Sequence, residues 1–395
     1  MTKNMRVAVI GGGVLGLAVA RSLAMEGAEV SVFERSHIGA GTSTTTFAWI
    51  NSNGKNPESY HRLNAMAMQE HVKLQQNAST VGEWLIQSGT YEWTIKAAEE
   101  QKLAKRVDKL LQLNYPVKTL SHQELAEKLP EIRINHRAGK IYSFPSESLL
   151  WPSVFLSFLW SEARKYGARL FTRADVTDIQ EDEQGAKLIT ADGQVWQGDR
   201  VVVATGRWSQ ELMACLDIKL AMIDANQPNK IACGFLAQTS PLLVQPGPNL
   251  ITPELNVRPE GGGRLLLQAP DLDHFANPAA PPALDGYIGQ EFLNRLRRLF
   301  ANTESAKIER ISVGQRSRPA DGLPAVGYVT EHKKIYLMVT HSGMTLAPLL
   351  GQLAAHEMLT GTRSELLADF SPGRLLGKSA ADFPAFSTLH FPAAQ

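Results

Sequence analysis

Cysteine is nearly missing: Cys215 and Cys233 are the two in 395 residues. Two thiols cannot make the disulfide framework of a small secreted scaffold, so a reducing, cytoplasmic setting is expected, with both as small buried apolar residues. A surplus of one charge is missing too. Forty Lys and Arg stand against 39 Asp and Glu, a net charge of +1, and nothing points to nucleic acid or an anionic membrane as partner. No apolar run reaches the roughly 18 residues a transmembrane helix needs. Internal repeats, low-complexity tracts and a metal-ligand set are likewise not found. The apolar start has no small-residue cleavage pattern, so it reads as a first strand and not as a signal peptide. What remains is an ordinary globular composition, 44% hydrophobic and 20% charged, in a chain long enough for two domains.

The most informative stretch opens the chain. Met5-Arg6-Val7-Ala8-Val9-Ile10 is short, apolar and β-branched, as a buried parallel strand should be. It runs into Gly11-Gly12-Gly13-Val14-Leu15-Gly16, then a helical segment with Leu15, Val19, Leu23 and Ala24 on one face, stopped by Gly27. Glu29 to Phe33 is a second strand, ending at Glu34. Strand, G-x-G-x-x-G, helix, strand and acid in register form the dinucleotide fingerprint. Gly11 permits the tight turn, Gly13 lets backbone approach a pyrophosphate, and Gly16 lets helix and strand pack closely. The helix N-terminus adds about half a positive charge. Glu34 can accept hydrogen bonds from an adenosine ribose, and its charge would repel a 2′-phosphate, which argues against NADP. By itself the fingerprint leaves FAD and NAD open.

Downstream, the loop Gly39 to Trp49 carries Thr42, Ser43, Thr44, Thr45 and Thr46. It leaves the carboxyl end of the second strand, where open α/β sheets bind ligands, so its hydroxyls are candidates for phosphate and flavin contacts. Tyr60 to Gln76 reads as a helix in which His61 and His71 are packing or surface residues. From about Val81 the character changes to short strands, a charged helix over Ala97–Asn114 and a capping box at Ser121…Glu124. A helix from Pro152, strands near 169–179 and the buried strand Arg200 to Gly206 resume the first pattern. Ile218 to about Ser305 is strand-rich, with a helix over Ile288–Phe300 and an irregular surface loop over Asp271–Pro282. Last come the segment Ser312–Pro324, a strand over Ile335–Val339, a turn over Thr340–Thr345 and a helix over Leu346–Leu359. The expected class is α/β. A Rossmann-type domain (1–80, 148–215, 310–375) is interleaved with a mixed-sheet α+β substrate domain (81–147, 216–309). A tail, 376–395, carries Phe383, Phe386 and Phe391.

Three separated motifs agree: the fingerprint with Glu34, the Val201–Gly206 strand, and the paired segments Arg316…Asp321-Gly322…Pro324 and His341-Ser342-Gly343. Together they resemble the D-amino-acid oxidase-like family of FAD-dependent oxidoreductases, from Met5 to about Phe370. The resemblance implies FAD as the cofactor. Gly11, Gly13, Val14, Leu15 and Gly16 would then hold the pyrophosphate, and Glu34 with Arg35 the adenosine. Thr42, Ser43 and Thr46 match a loop beside the phosphates and flavin, with Thr46 replacing the commoner Asn. Val176 would meet the adenine by its backbone, and Gly206 ends a cofactor-facing strand. Gly343, Met344 and Thr345 match the turn whose amides face the flavin pyrimidine edge. Arg316 aligns with the arginine that forks onto the substrate carboxylate, with Arg318 as its alternate and Trp49 as a further substrate contact. A structural salt bridge is the competing reading for Arg316. Gly314 stands where some relatives attach FAD through a cysteine, so a noncovalent cofactor is expected. The implied reaction oxidises the C–N bond of an amino acid or amine, with hydride passing to flavin N5 and oxygen or another acceptor taking the electrons. Two rivals are a 2-hydroxy-acid dehydrogenase of the same fold, with His341 as base, and an electron-passing flavoprotein subunit.

Overall fold

In the computed structural model, residues 5–78, 82–226, 232–244 and 246–384 are described. Phe386 and Phe391 lie outside them; Phe383 packs at the edge of the core.

A six-stranded sheet carries the fingerprint. Its order is Ala325–Tyr328, Ile335–Val339, Arg200–Val203, Arg6–Ile10, Glu29–Glu34, Arg169–Thr172. Every neighbouring pair is parallel except the first, which is antiparallel. The strands read as apolar runs because helices cover one face and a second sheet the other. The helices Val14–Met25, Pro152–Lys165 and Gly343–Thr360 pack together on the first face. On the second lies a three-stranded antiparallel sheet, Val176–Glu181, Ala186–Thr190 and Val195–Gly198, whose Ile179 and Leu188 bury against Ala8, Ile10, Val201 and Val203. A hairpin turn at Asp192-Gly193 joins its last two strands.

From Arg6–Ile10 the chain crosses to Glu29–Glu34 on one side, while Arg200–Val203 flanks it on the other. This reversal opens a crevice at the carboxyl ends of the strands, the site where such sheets bind ligands.

The second large sheet has eight strands, in the order Ile308–Gln315, Cys233–Thr239, Arg264–Gln268, Asn256–Gly261, Asn249–Ile251, Thr90–Glu92, Ile141–Phe144, Lys118–Leu120. It is mixed: Asn249–Ile251 pairs parallel with Thr90–Glu92 and the other pairs are antiparallel. Segments far apart in sequence share this sheet, and its core includes Phe235, Leu267, Phe292 and Phe300. The capping box at Ser121 is formed, with the Glu124 amide donating to the Ser121 hydroxyl.

Three local expectations are corrected. Asp271–Pro282 is not all irregular surface: Pro270–Phe275 is a 3-10 helix, and Asp273 is 9% exposed because it is held by Arg316 and the Phe235 amide. Gly343, Met344 and Thr345 are not a turn before the last helix but its first turn, with Ser342 at the N-cap position. Cys215 is exposed, since it follows the helix Ser209–Ala214 at the rim of the crevice, while Cys233 is buried as expected.

Candidate functional site

A cavity of about 690 Å³ runs from the fingerprint to the eight-stranded sheet. One end is built by glycine. Gly11 has φ +108°, and a β-carbon there would lie 2.6 Å from the Ala204 carbonyl oxygen. A β-carbon on Gly16 would lie 1.9 Å from the Gly11 carbonyl oxygen, so helix and turn touch backbone to backbone. Gly16 itself does not line the cavity; Gly11, Gly13, Val14 and Leu15 do.

The amides of that turn are partly engaged. Gly12 N donates to Glu34 Oε2 at 2.7 Å, and Ser36 N donates to Glu34 Oε1 at 2.9 Å. The carboxylate at the end of the second strand is thereby fixed at the cavity wall, with lone pairs left for a ribose hydroxyl. Val14 N donates to Ser43 Oγ at 3.0 Å, which leaves that hydroxyl's own proton to donate to an anion. Among the described residues nothing accepts from the amides of Gly13 and Leu15. Two such donors at a helix N-terminus fit a pyrophosphate.

Thr42 Oγ1 donates to Gln315 O at 2.6 Å, tying the 3-10 turn Thr42–Thr44 to the end of the strand Ile308–Gln315. Thr46 Oγ1 accepts from Ala48 N, at a left-handed Ala48 of φ +49°, and shapes the turn into Trp49. Both threonines line the cavity through a loop they also hold in shape. Glu34, Arg35, Val176 and Gly206 line the same cavity. The guanidiniums of Arg35 and Arg207 each lie 3.6 Å from the ring centroid of Trp208, a stack of two cations on one indole. Burial, then the charge of Arg35, pushes the Arg207 pKa down to about 10.

Gly343, Met344 and Thr345 present the N-terminus of the eighteen-residue last helix to the cavity. Beneath them His71 Nε2 donates to Met344 O at 2.7 Å. Burial holds His71 down to about 4, so it is a neutral brace and not a catalyst. Tyr60 OH and Ser342 Oγ are 2.7 Å apart and fix the cap.

The other end of the cavity is cationic. Arg316 Nη2 meets Asp273 Oδ2 at 2.9 Å, and Nη1 donates to Cys233 O at 2.7 Å. The pair lies against Gly234, where a β-carbon would come within 2.5 Å of both Arg316 Nη2 and Asp273 Oδ2. The salt-bridge reading of Arg316 is therefore present in the structure, and the same side chain also lines the cavity. Arg318 is fully buried behind it and does not line the cavity. His341 does; burial and the charges of Arg318, Arg316 and Lys55 hold its pKa well below the ordinary value. Trp49 lines the wall and donates from Nε1 to Glu147 Oε2 at 2.7 Å.

Arg207, Trp208, Lys55 and Asp273 were not singled out from the sequence. Arg207 and Trp208 directly follow Gly206, so their place in the crevice could have been read from that strand's end. Lys55 sits in a polar loop and Asp273 in a Pro-rich stretch, with no periodic pattern to mark either.

The profile of the FAD dependent oxidoreductase family matches residues 6–357. Glycine oxidase of Geobacillus kaustophilus is 26% identical, covering 96% of this chain and 99% of the relative. The crystal structure of glycine oxidase from that organism superposes with a TM-score of 0.80 at 22% identity, over 94% of this chain and 98% of that one. L-amino acid deaminase from Proteus vulgaris gives a TM-score of 0.81 at 18% identity, over 95% and 98%. The glycine cradle, the Glu34 wall and the second helix N-terminus fit the two phosphates, ribose and ring of a flavin dinucleotide, and the chain belongs to the family of FAD-dependent oxidoreductases.

Proposed function

We propose that this enzyme oxidises the C–N bond of an amino acid or a related amine. The observation that carries the reading is Arg316, a cavity-lining guanidinium held in place by Asp273 and the Cys233 carbonyl. FAD, when bound, supplies the acceptor for a hydride leaving the substrate carbon. Hydride from carbon and a proton from nitrogen leave a C=N bond, and water then hydrolyses the released imine to a carbonyl compound and an amine.

The chain's own residues do three things. Arg316 presents its guanidinium to the substrate carboxylate; Asp273 and the Cys233 carbonyl fix its plane in advance. Lys55, Arg316 and Arg318 place positive charge around the bound substrate, which lowers its ammonium pKa and favours the neutral, reactive amine. The first turn of the last helix aims partial positive charge at the cavity, where negative charge develops on reduction. No strong side-chain base is required. The hydroxy-acid alternative needs one, and its candidate, His341, has its pKa pushed well down and accepts a proton poorly.

We further propose that FAD is held noncovalently, supported by Gly314 preceding the Arg316 motif. Residues 1–80, 148–215 and 310–375 would form the cofactor domain, and 81–147 with 216–309 the substrate domain. Among the described residues no helix is long and apolar enough to cross a membrane; the cytoplasm remains the proposed location. The electron acceptor is oxygen or another oxidant.

Anaerobic mixing with amino-acid and hydroxy-acid panels tests the reading. Bleaching by amines alone is expected. Bleaching by hydroxy acids alone, or by neither, would overturn it. Peroxide release on readmitting air separates oxygen from other acceptors. Arg316→Leu should raise KM for every carboxylate substrate about tenfold to a hundredfold, the loss of one charge-assisted fork. An unchanged KM removes Arg316 from the assignment.

A further inference from the structure

Lys55 follows the short strand Trp49–Ile50, in the loop leading to the helix Glu58–Asn77. It is 5% exposed and lines the cavity with Trp49, Asn51, Arg316 and His341. Among the described residues its ammonium has no hydrogen bond or ion pair; its one ring contact is Tyr60, with Nζ 5.8 Å from the centroid. Buried ammonium groups without a carboxylate are rare, because desolvation goes uncompensated.

The charges facing Lys55 do not supply that carboxylate. Arg318 and Arg316 lie on the segment after the strand Ile308–Gln315, and neutral His341 follows the strand Ile335–Val339. Tyr60 faces it from the helix Glu58–Asn77. Glu147 is the one acid acting on it, yet that carboxyl is already held by Trp49 Nε1 at 2.7 Å and Tyr115 OH at 3.0 Å. Burial pushes Glu147 up to about 8, so near pH 7 it is mostly protonated. Asp273 is taken by Arg316. Lys55 and Arg316 thus line the cavity with Arg318 buried nearby, and among the described residues Asp273 is the ionised carboxylate paired within this basic group. A monocarboxylate on Arg316 would still leave Lys55 unanswered.

We propose that Lys55 binds a second carboxylate of the substrate, and that the enzyme's substrates are amino acids carrying two carboxylates. The inference rests on the amino-acid reading and narrows it. Arg316 and Lys55 hold the two ends of a dianion, and the C–N bond to be oxidised lies between or beside them. Burial, with the charge of Arg318, pushes free Lys55 down to about 7. A dianion therefore binds with proton uptake, and its advantage fades as pH rises through that value.

The test uses purified holoenzyme and two readouts. Non-oxidisable dicarboxylates and monocarboxylates of matched length, glutarate against pentanoate, are titrated against the visible spectrum of the bound flavin. Oxidisable pairs, glutamate against glutamine and N-(carboxymethyl)glycine against N-methylglycine, are compared by KM. The dicarboxylate of each pair should win by about tenfold or more at pH 6.5, and the preference should shrink toward one by about pH 9. Lys55→Met should collapse the ratio, and Lys55→Arg should restore part of it. Should Lys55→Met fail to retain FAD, the pH series on unaltered enzyme and Lys55→Arg decide. Amine substrates that bleach the flavin with a ratio near one, or a ratio Lys55→Met leaves intact, overturn the assignment of Lys55 alone. No bleaching by any amine overturns the amino-acid reading and this one with it.

Discussion

The contact between Gly16 and Gly11 offers a quantitative test of how the fold makes the cofactor site. In Gly16→Ala the new β-carbon would lie 1.9 Å from the Gly11 carbonyl oxygen and 3.4 Å from Val9 Cγ1. The first distance is about 1.5 Å short of an ordinary contact. The clashing partner, the Gly11 carbonyl, is backbone, so no side chain can swing away and the first helix must retreat from the turn. Overpacking of this kind costs about 1–3 kcal/mol. The retreat also carries the Gly13 and Leu15 amides out of reach of the phosphates. Each charge-assisted bond is worth about 1.5–3 kcal/mol, so losing one or two weakens FAD binding by roughly tenfold to ten-thousandfold. Gly351→Ala is the matched control. There the β-carbon would meet Ala18 O at 2.6 Å, again helix backbone, but at the crossing of the first and last helices, away from the phosphate turn. It should lose comparable stability with a much smaller loss of FAD affinity. The assays are urea unfolding of apoprotein and flavin titration followed by quenching of FAD fluorescence. Should Gly16→Ala bind FAD within about threefold of wild type while losing about 1–3 kcal/mol, or should both variants lose equal affinity, the cradle argument is wrong.

Asp273→Ala leaves the partly buried Arg316 against Gly234 without its carboxylate; we expect about 3 kcal/mol of destabilisation by urea unfolding, and less than about 0.5 kcal/mol would show that the pair is solvated. His71 has a folded-state pKa of about 4 against 6.5 unfolded, so its contribution is complete above pH 6.5 and is lost as pH falls toward 4. The full span corresponds to about 3 kcal/mol, and in His71→Gln the difference in stability from wild type should change by that order between the two pH values; a constant difference would refute it. Ser121→Ala removes the capping box and should cost about 1 kcal/mol with no change in FAD affinity, because Ser121 does not line the cavity.

The dinucleotide half was legible because its constraints are local. The order strand, glycine turn, helix, strand, acid lies within residues 5–34; Gly16 answers a contact inside that span, Gly11 one with the end of the adjacent strand, and Gly13 one with Ser43 in the loop that follows. Periodicity likewise placed the helices Glu58–Asn77 and Tyr287–Leu299 to within a residue or two. Where the last helix starts was missed, since Gly343-Met344-Thr345 looks like a turn until Ser342 is seen bound to Tyr60 and His71 to Met344.

The substrate end was not legible in the same way, and the reason is physical. Arg316 was visible from its motif, but its plane is set by Asp273, 43 positions earlier, and by the absence of a side chain at Gly234. Neither residue carries a local pattern; they meet because the strand Cys233–Thr239 pairs antiparallel with Ile308–Gln315, placing Gly234 opposite Gly314. Lys55 is more hidden still. In sequence it is one basic residue in a polar loop, the kind that ordinarily faces water. Only the tertiary structure encloses it, beside Tyr60 and in the cavity that Arg316 and His341 also line. A buried cation becomes informative through what does not balance it, and a deficit of that kind is a property of the assembled cavity, which no single segment of the chain contains.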